Sequence, residues 1–398
     1  MSNSTSRTER AVHGALDYGE LERLGLHPWE VLDFSVNANP YGPSPRVREA
    51  IANVAIDRYP DRECLELRRA ILDYELASTN LPLNSIVCGN GTTELIWAIA
   101  RAYLKPGLKA AIPGPTFGEY RVASLAAGAS VVEFQVQADA YFQPDIGAIA
   151  AWIGREQPSL VWLCNPNNPT GIWLDRQQML ELAEACQKVG AMLVVDEAYW
   201  RFVFPTLHSA DLVKAHNRAL CQVIVLRSLT KDFALAGLRL GYAVAAPAVA
   251  ELLSAQLPSW NVNGMAQAAG IAALSDRTHL TTTLDKLAIE RDAFFDALRH
   301  TGLHVMPSRT HFCLVEVGDA RQVRQQLLNR KILVRDCTSF GLPRFIRVAT
   351  RPRSDGQSGP HSPGWRQAPA PTVPPAWLVG AELASALASA LTRFGGEI

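Results

Sequence analysis

Short runs of branched apolar residues recur along the chain at 85–88, 110–113, 130–134, 160–164, 192–196, 223–228 and 240–245, each bounded by Gly, Pro, Asn or Asp. Between them lie longer stretches, at 62–77, 92–104, 117–127 and 175–189, with helical spacing of apolar positions. The first pattern is that of buried strands and the second that of amphipathic helices. Strand and helix in alternation predict crossover units, and so an α/β protein with a mainly parallel sheet sandwiched by helices. In such a sheet the functional residues belong at the carboxyl ends of the strands.

The flanking regions read differently. Val31 to Ser35 predicts a strand running into the Asn/Pro/Gly loop Asn37-Ala-Asn39-Pro40-Tyr-Gly42, followed by a helix over 45–55. A helix-rich stretch at 262–300 leads to strands near 303–306, 311–317, 331–335 and 344–349 with a helix at 319–330, an α+β pattern. Residues 352–375 are dominated by Pro, Gly, Ser, Gln and Ala and predict a flexible insertion, with a last helix over 380–394. The expected organisation is a disordered lead at 1–12, an N-terminal arm at 13–45 contributing to a smaller domain, and a large domain at 46–260. A linking helix and the small α+β C-terminal domain follow at 261–398.

Composition narrows the function. Lys+Arg and Asp+Glu both total 38 and the sequence pI is about 7.1, so no global field draws the chain to nucleic acid or to an anionic membrane. Seven cysteines are scattered singly with no C-x-x-C pair, which predicts reduced core thiols rather than disulfides or a metal site. With a polar lead and no run of about 18 apolar residues, export and membrane insertion are not expected. The cytosol and small-molecule chemistry are the expectations.

Four stretches carry candidate chemistry. Lys231 ends the run Val223-Ile-Val-Leu-Arg-Ser-Leu-Thr-Lys231, with Arg239 eight positions on. A desolvated lysine has its amine pulled down, and the neutral amine is the form that condenses with an aldehyde. A solvated loop lysine is the plain alternative. Cys88-Gly-Asn90-Gly91-Thr92 opens a helix and suits an anion, although such turns also serve only to reverse the chain. Asp196 directly follows an apolar run and needs a cationic or hydrogen-bonding partner if buried; a helix N-cap is the alternative. Arg335 and Arg347 sit in strands, suited either to a carboxylate or phosphate or to a structural ion pair.

Taken in order, Asn168-Pro-Thr-Gly171, Asp196-Glu-Ala-Tyr199, Ser228-Leu-Thr-Lys231, Gly237-Leu-Arg239-Leu-Gly241 and Arg347 resemble the pyridoxal-phosphate-dependent aminotransferases of classes I and II, over roughly residues 11 to 351. Asn37-Ala-Asn39-Pro, Arg58-Tyr59-Pro-Asp61 and Asn261-Val-Asn263 resemble the histidinol-phosphate aminotransferase branch. The opening His13-Gly14, Leu32-Asp-Phe-Ser35 and Arg227-Ser-Leu-Thr-Lys231 with Leu257-Pro-Ser-Trp260 lean towards its relative, threonine-phosphate decarboxylase of cobalamin synthesis. Position 15 is alanine where the decarboxylase opening has a second glycine, and the 352–375 stretch is foreign to both patterns.

The resemblance implies fold type I, pyridoxal 5'-phosphate as cofactor and a homodimer. It makes Lys231 the Schiff-base lysine and acid/base, Asp196 the partner of the ring nitrogen, Asn168 and Tyr199 the partners of the ring hydroxyl, and Phe117 the stacking ring. Asn90, Gly91 and Thr92 with Ser228, Thr230 and Arg239 would hold the cofactor phosphate, and Tyr59 would reach it from the neighbouring subunit. Arg347 would take the substrate carboxylate, with Asn37 nearby, Arg335 the substrate phosphate, and His13 would help set the pose. The implied reaction is decarboxylation of L-threonine O-3-phosphate to aminopropanol phosphate. The alternative is an aminotransferase of the histidinol-phosphate type working with 2-oxoglutarate and glutamate. A non-enzymatic reading, an effector-sensing module joined to a DNA-binding domain, would need a basic module that the balanced charge does not offer.

Overall fold

The computed structural model describes residues 11–203 and 222–351, together with Ala210, Val213, Leu383 and 385–387. The leading residues 1–10, the 352–375 stretch and most of the expected last helix lie outside the described residues.

The short strand β1 (Leu32–Asp33) lies in the N-terminal arm, and six runs of the large region form β2 (Ile86–Gly89), β3 (Lys109–Gly114), β4 (Ser130–Gln135), β5 (Leu160–Cys164), β6 (Met192–Asp196) and β7 (Val223–Ser228). With β8 (Gly241–Val244) they make a seven-stranded sheet in the order β2-β8-β7-β6-β5-β3-β4. The pairs β3–β4, β3–β5, β5–β6 and β6–β7 are parallel, and only β8 runs against its neighbours. This is the mainly parallel α/β sheet the alternation predicts.

Both faces of the inner sheet are covered, which is why β5 and β6 read as near-continuous apolar runs, whereas the edge strand β4 carries exposed Ser130, Glu133 and Gln135. Val161, Leu163, Leu193, Val195, Val223 and Val225 pack with helices 65–75, 146–156, 176–188 and 264–275. The intervening Leu160, Trp162, Val194, Ile224 and Leu226 pack with helices 91–103, 119–126 and 247–254 on the other side. The helix over 146–156 is one the reading above passes over, although Asp145 caps it through the N–H of Ala148.

A second core lies beyond the sheet. β9 (Phe312–Glu316), β10 (Ile332–Leu333), β11 (Arg335–Asp336) and β12 (Phe345–Ala349) follow in sequence, with a helix at 320–328. β12 stands between β11 and β9, antiparallel to both, while β1 of the N-terminal arm pairs in parallel with β10. The expected strand at 303–306 is reduced to a single bridge, Val305 to Val315. The expected helical stretch 262–300 divides at Asp276, which caps the second piece, 277–300, through His279 N–H. Leu280, Leu284 and Leu287 of that helix belong to the large core, whereas Phe294, Phe295 and Leu298 belong to the small one. One helix thus carries the chain between the two cores. Among the described residues no helix is long and apolar enough to cross a membrane, and the six described cysteines are buried free thiols.

Candidate active site

Parallel strands present their carboxyl ends along one edge, so β5, β6 and β7 deliver Cys164, Asp196 and Ser228 to the same rim. There they border a cavity of about 380 Å³ closed on its far side by Arg335, Phe340 and Arg347 of the small core. Every predicted site residue lines this cavity except Tyr59, Asn90 and Gly91.

Lys231 is half-buried and borders the cavity. Burial, and then the charges of Arg347 and Arg239, pull its amine down to about 8, so about a tenth of it is neutral at pH 7 and more above. Its Nζ lies 5.8 Å from the centre of the Tyr199 ring. Burial likewise pushes the Tyr199 hydroxyl up to about 12, although Arg347 opposes the shift.

Asp196 is 3% exposed and accepts hydrogen bonds from Tyr120 Oη at 2.8 Å and from the Ala198 N–H at 2.9 Å. Burial nevertheless raises its carboxyl above the usual range. A carboxylate so placed is suited to a cation arriving in the cavity, and a protonated ring nitrogen is one.

The anion cup is built from three pieces. The helix over 91–103 begins at the cavity without a side-chain cap, so its first N–H groups and its dipole are available. The Ser228 and Thr230 hydroxyls lie 2.6 Å apart beside it, and Arg239 projects from a left-handed residue at φ 59°. Gly91 takes φ +77°, and a Cβ there would stand 2.8 Å from Arg239 Nη2. Only glycine leaves room for the arginine to lie against the helix start. Asn90 does not contribute as expected: its N–H is taken by Glu94 Oε2 at 2.7 Å, and its side chain is exposed. These donors, the lowered lysine and the partly satisfied aspartate fit pyridoxal 5'-phosphate, with Phe117 against the cavity wall for its ring.

At the opposite end Arg335 and Arg347 are register partners across β11 and β12. Arg347 is held by Asn168 Oδ1 and by the carbonyl of Ser35 at 2.7 Å, and among the described residues its Nε has no partner. Arg335 donates to the Val12 carbonyl at 2.7 Å and to Ser339 Oγ at 2.6 Å; burial, and next Arg347, lowers it to about 10. Two buried guanidiniums side by side repel each other and stabilise an anion placed between them. Among the described residues both amide atoms of Asn37 are buried at the same cavity without a hydrogen bond of ordinary geometry, beside the Tyr199 hydroxyl.

Residues 12–15 form a strap along the cavity, which all four line. His13 Nε2 lies 2.7 Å from Glu119 Oε1, the other oxygen of which accepts from Trp97 Nε1 at 3.0 Å. The His13 bond, and less so that from Trp97, keeps the Glu119 carboxyl low despite burial. On the small-core side Ala15 N–H donates to Ser35 Oγ at 3.0 Å.

Tyr59 stands apart: it is 80% exposed and stacks on Trp260 at 4.6 Å, outside the cavity of its own chain. The sequence reading also missed Tyr120, Glu119, Trp97, Thr93 and Ser35. Tyr120 had a signal, since it lies in the first turn of the helix that follows Phe117, and the two rings meet at 5.6 Å.

With this geometry in place, three likenesses bear on it. A histidinol-phosphate aminotransferase of Moorella thermoacetica is 32% identical over 333 residues, covering 83% of this chain and 83% of that protein. The crystal structure of histidinol-phosphate aminotransferase from Sinorhizobium meliloti, in complex with pyridoxal-5'-phosphate, superposes with a TM-score of 0.79 at 24% identity over 99% of each chain. That of L-threonine-O-3-phosphate decarboxylase from Porphyromonas gingivalis gives 0.70 at 23% identity, covering 92% of this chain and all of that one. The family description "Aminotransferase class I and II" matches residues 30–356. The chain therefore belongs to the pyridoxal-phosphate-dependent aminotransferases of classes I and II.

Proposed function

We propose that this enzyme transfers an amino group between a phosphorylated amine of the histidinol-phosphate kind and a 2-oxo acid such as 2-oxoglutarate. The observation that carries the reading is the Arg335–Arg347 pair facing Lys231 across one cavity. A transaminase must seat two different anionic substrates in turn. A phosphate dianion and a dicarboxylate both suit two adjacent guanidiniums. The names of relatives 32% and 35% identical, both histidinol-phosphate aminotransferases, support the same choice.

When bound, pyridoxal 5'-phosphate supplies an electron sink for the pair released at the substrate Cα. Thr92, Ser228, Thr230 and Arg239 would hold its phosphate, with the Gly91 turn giving room. Asp196 would pair with its ring nitrogen, Asn168 and Tyr199 with its ring hydroxyl, and Phe117 would cover the ring. Lys231, neutral in part at working pH, takes the proton from Cα and returns one during transfer. Arg347 with Asn37 would orient the carboxylate and Arg335 the phosphate. Tyr59, exposed and outside its own cavity, would complete the phosphate cup of a second copy, so the working form would be a homodimer.

A second reading has a specific observation behind it. The strap brings Gly14 against Arg335 and Arg347, since a Cβ on Gly14 would stand 3.5 Å from both arginines, and His13 borders the same cavity. L-Threonine O-3-phosphate carries carboxylate and phosphate in one molecule and would engage both at once. The bond that breaks at Cα is the one held perpendicular to the cofactor ring, so decarboxylation needs only a different pose. Purified protein with pyridoxal phosphate is incubated with histidinol phosphate and 2-oxoglutarate, and separately with L-threonine O-3-phosphate alone. Glutamate formation in the first supports transamination; CO2 release in the second without glutamate in the first replaces it with decarboxylation.

A further inference from the structure

Behind the site lies a second set of charged residues. Asp196, Ser228 and Lys231 border the cavity, while their chain neighbours Glu197, Arg227 and Asp232 are buried and border none of it. Arg227 Nε donates to Glu197 Oε2 at 2.9 Å, and Arg201 Nε lies 3.0 Å from Asp232 Oδ2. Glu75 of helix 65–75 pairs with Arg201, and its second oxygen is 4.0 Å from Arg227 Nη1. The Trp200 ring lies against both guanidiniums, at 4.1 and 4.3 Å. Charges held at this depth are costly to desolvate, and an apolar cluster would fill the space more cheaply. Their placement points to a task other than stability.

The task is legible at Lys231. Its carbonyl accepts the Asn39 N–H at 2.7 Å. The carbonyl of Asp232 accepts Asn39 Nδ2 at 3.0 Å, and the same amide group donates to Thr283 Oγ1 at 2.9 Å. The lysine main chain is therefore fastened on one side by Asn39 and on the other, through the Asp232 carboxylate, by Arg201. A lysine side chain is long and flexible, so its amine meets a substrate carbon reproducibly only if its root is fixed. A misplacement of about 1 Å can cost about 100-fold in rate.

We propose that Asn39 and Asp232, with Arg201 behind Asp232, are positioning residues for Lys231, fixing the backbone from which its amine enters the cavity. None of the three borders the cavity, so they act through the lysine. The inference rests on Lys231 as the residue that carries the cofactor, which Lys231→Ala tests separately.

The test uses the full chain carrying Asn39→Asp, Asp232→Asn or Arg201→Gln, with Arg201→Lys as the conservative variant and the surface change Asp296→Asn as control. In cofactor-free protein, acetylation of Lys231 by acetic anhydride is followed against pH by peptide mass spectrometry, with the exposed Lys105 and Lys188 as references. Steady-state constants are measured on the cofactor-loaded protein. Expected in folded variants is a rise of the Lys231 midpoint towards the references, as the amine leaves its place beside Arg239 and Arg347. With it, kcat should fall about 10-fold or more at nearly constant KM. Arg201→Lys should recover most of what Arg201→Gln loses, which keeps the test decisive if either other variant fails to fold. An unchanged midpoint and kcat overturn the proposal; so does a midpoint that falls, since Asp232 would then act by its charge. Retention of cofactor absorbance by Lys231→Ala would sink the functional reading while leaving the midpoint shift as evidence of positioning.

Discussion

Tyr120 donates to Asp196 across the sheet edge, Oη to Oδ2 at 2.8 Å, and stacks its own ring on Trp162 at 5.2 Å. The hydroxyl is fully buried, and burial pushes it far above its ordinary range, so it stays a donor throughout the working pH. Tyr120 is therefore a fixed proton donor that favours the charged form of the aspartate.

Tyr120→Phe removes that donor. Asp196, already raised by burial, rises further, and a larger fraction is protonated before the cofactor arrives. Cofactor association followed against pH should show its acid limb displaced upward. A limb that stays in place would mean that the Ala198 N–H alone holds the carboxylate.

Lys231→Ala should abolish the visible absorbance of covalently held cofactor and lower turnover by about 100- to 10,000-fold, the usual worth of a placed proton carrier. Partial rescue by added methylamine would identify the lost group as the amine itself.

Arg335→Gln should raise KM for the phosphorylated substrate by about 10- to 150-fold, from the roughly 1.5–3 kcal/mol of a hydrogen bond to a charged group. An amino donor lacking phosphate should change much less. Equal losses on both donors would assign Arg335 a structural role.

Gly14→Ala tests the strap. The new Cβ would lie 2.9 Å from the Ser35 carbonyl, too close for ordinary contact, so the strap must shift away from Arg335 and Arg347. KM should rise while the thermal midpoint stays within a few degrees; a thermal midpoint that collapses instead would make residues 12–15 part of the folding core.

His311 gives a pH-dependent stability. Among the described residues neither ring nitrogen makes a hydrogen bond of ordinary geometry, and burial, then Arg347, Lys231 and Arg351, depress it to about 3 against a smaller opposing contact with the Asn37 backbone. Because its folded value lies below the unfolded 6.5, the unfolded chain binds the extra proton between these limits. Its contribution to stability is intact above about pH 6.5 and is lost as pH falls towards 3, by at most about 1.4 kcal/mol per unit. Denaturant titrations should therefore show wild type losing stability relative to His311→Phe from pH 7 to 5. Parallel losses in the two proteins would refute this.

Much of the sheet was legible because a strand buried on both faces must be apolar and its crossover helices amphipathic. The strand-end motifs were legible for a related reason. Lys231, Asp196, Asn168 and Ser228 each interrupt or follow an apolar run, where a polar group is costly unless it is used. The helix at 146–156 and the division at Asp276 were missed, since the signals there are single capping residues rather than a period. Asn90 illustrates the limit of motif reading: the turn is where it was expected, but a carboxylate four residues on consumes its N–H.

What the sequence determined, then, was the alternation of elements, the polar residues at their ends and hence the family and its cofactor chemistry. Only the tertiary structure decided which residues converge from a distance. Tyr120 reaches Asp196 over 76 positions, Arg347 meets Ser35 over 312, and β11 pairs with β12 so that two arginines share one pocket. It also decided that Asn39 donates to the Lys231 carbonyl and that Arg201 pairs with the neighbouring Asp232. Local pattern reports which face of an element is buried, because burial acts on each residue in place. Partnership across the fold depends on packing between elements, and no local period records that.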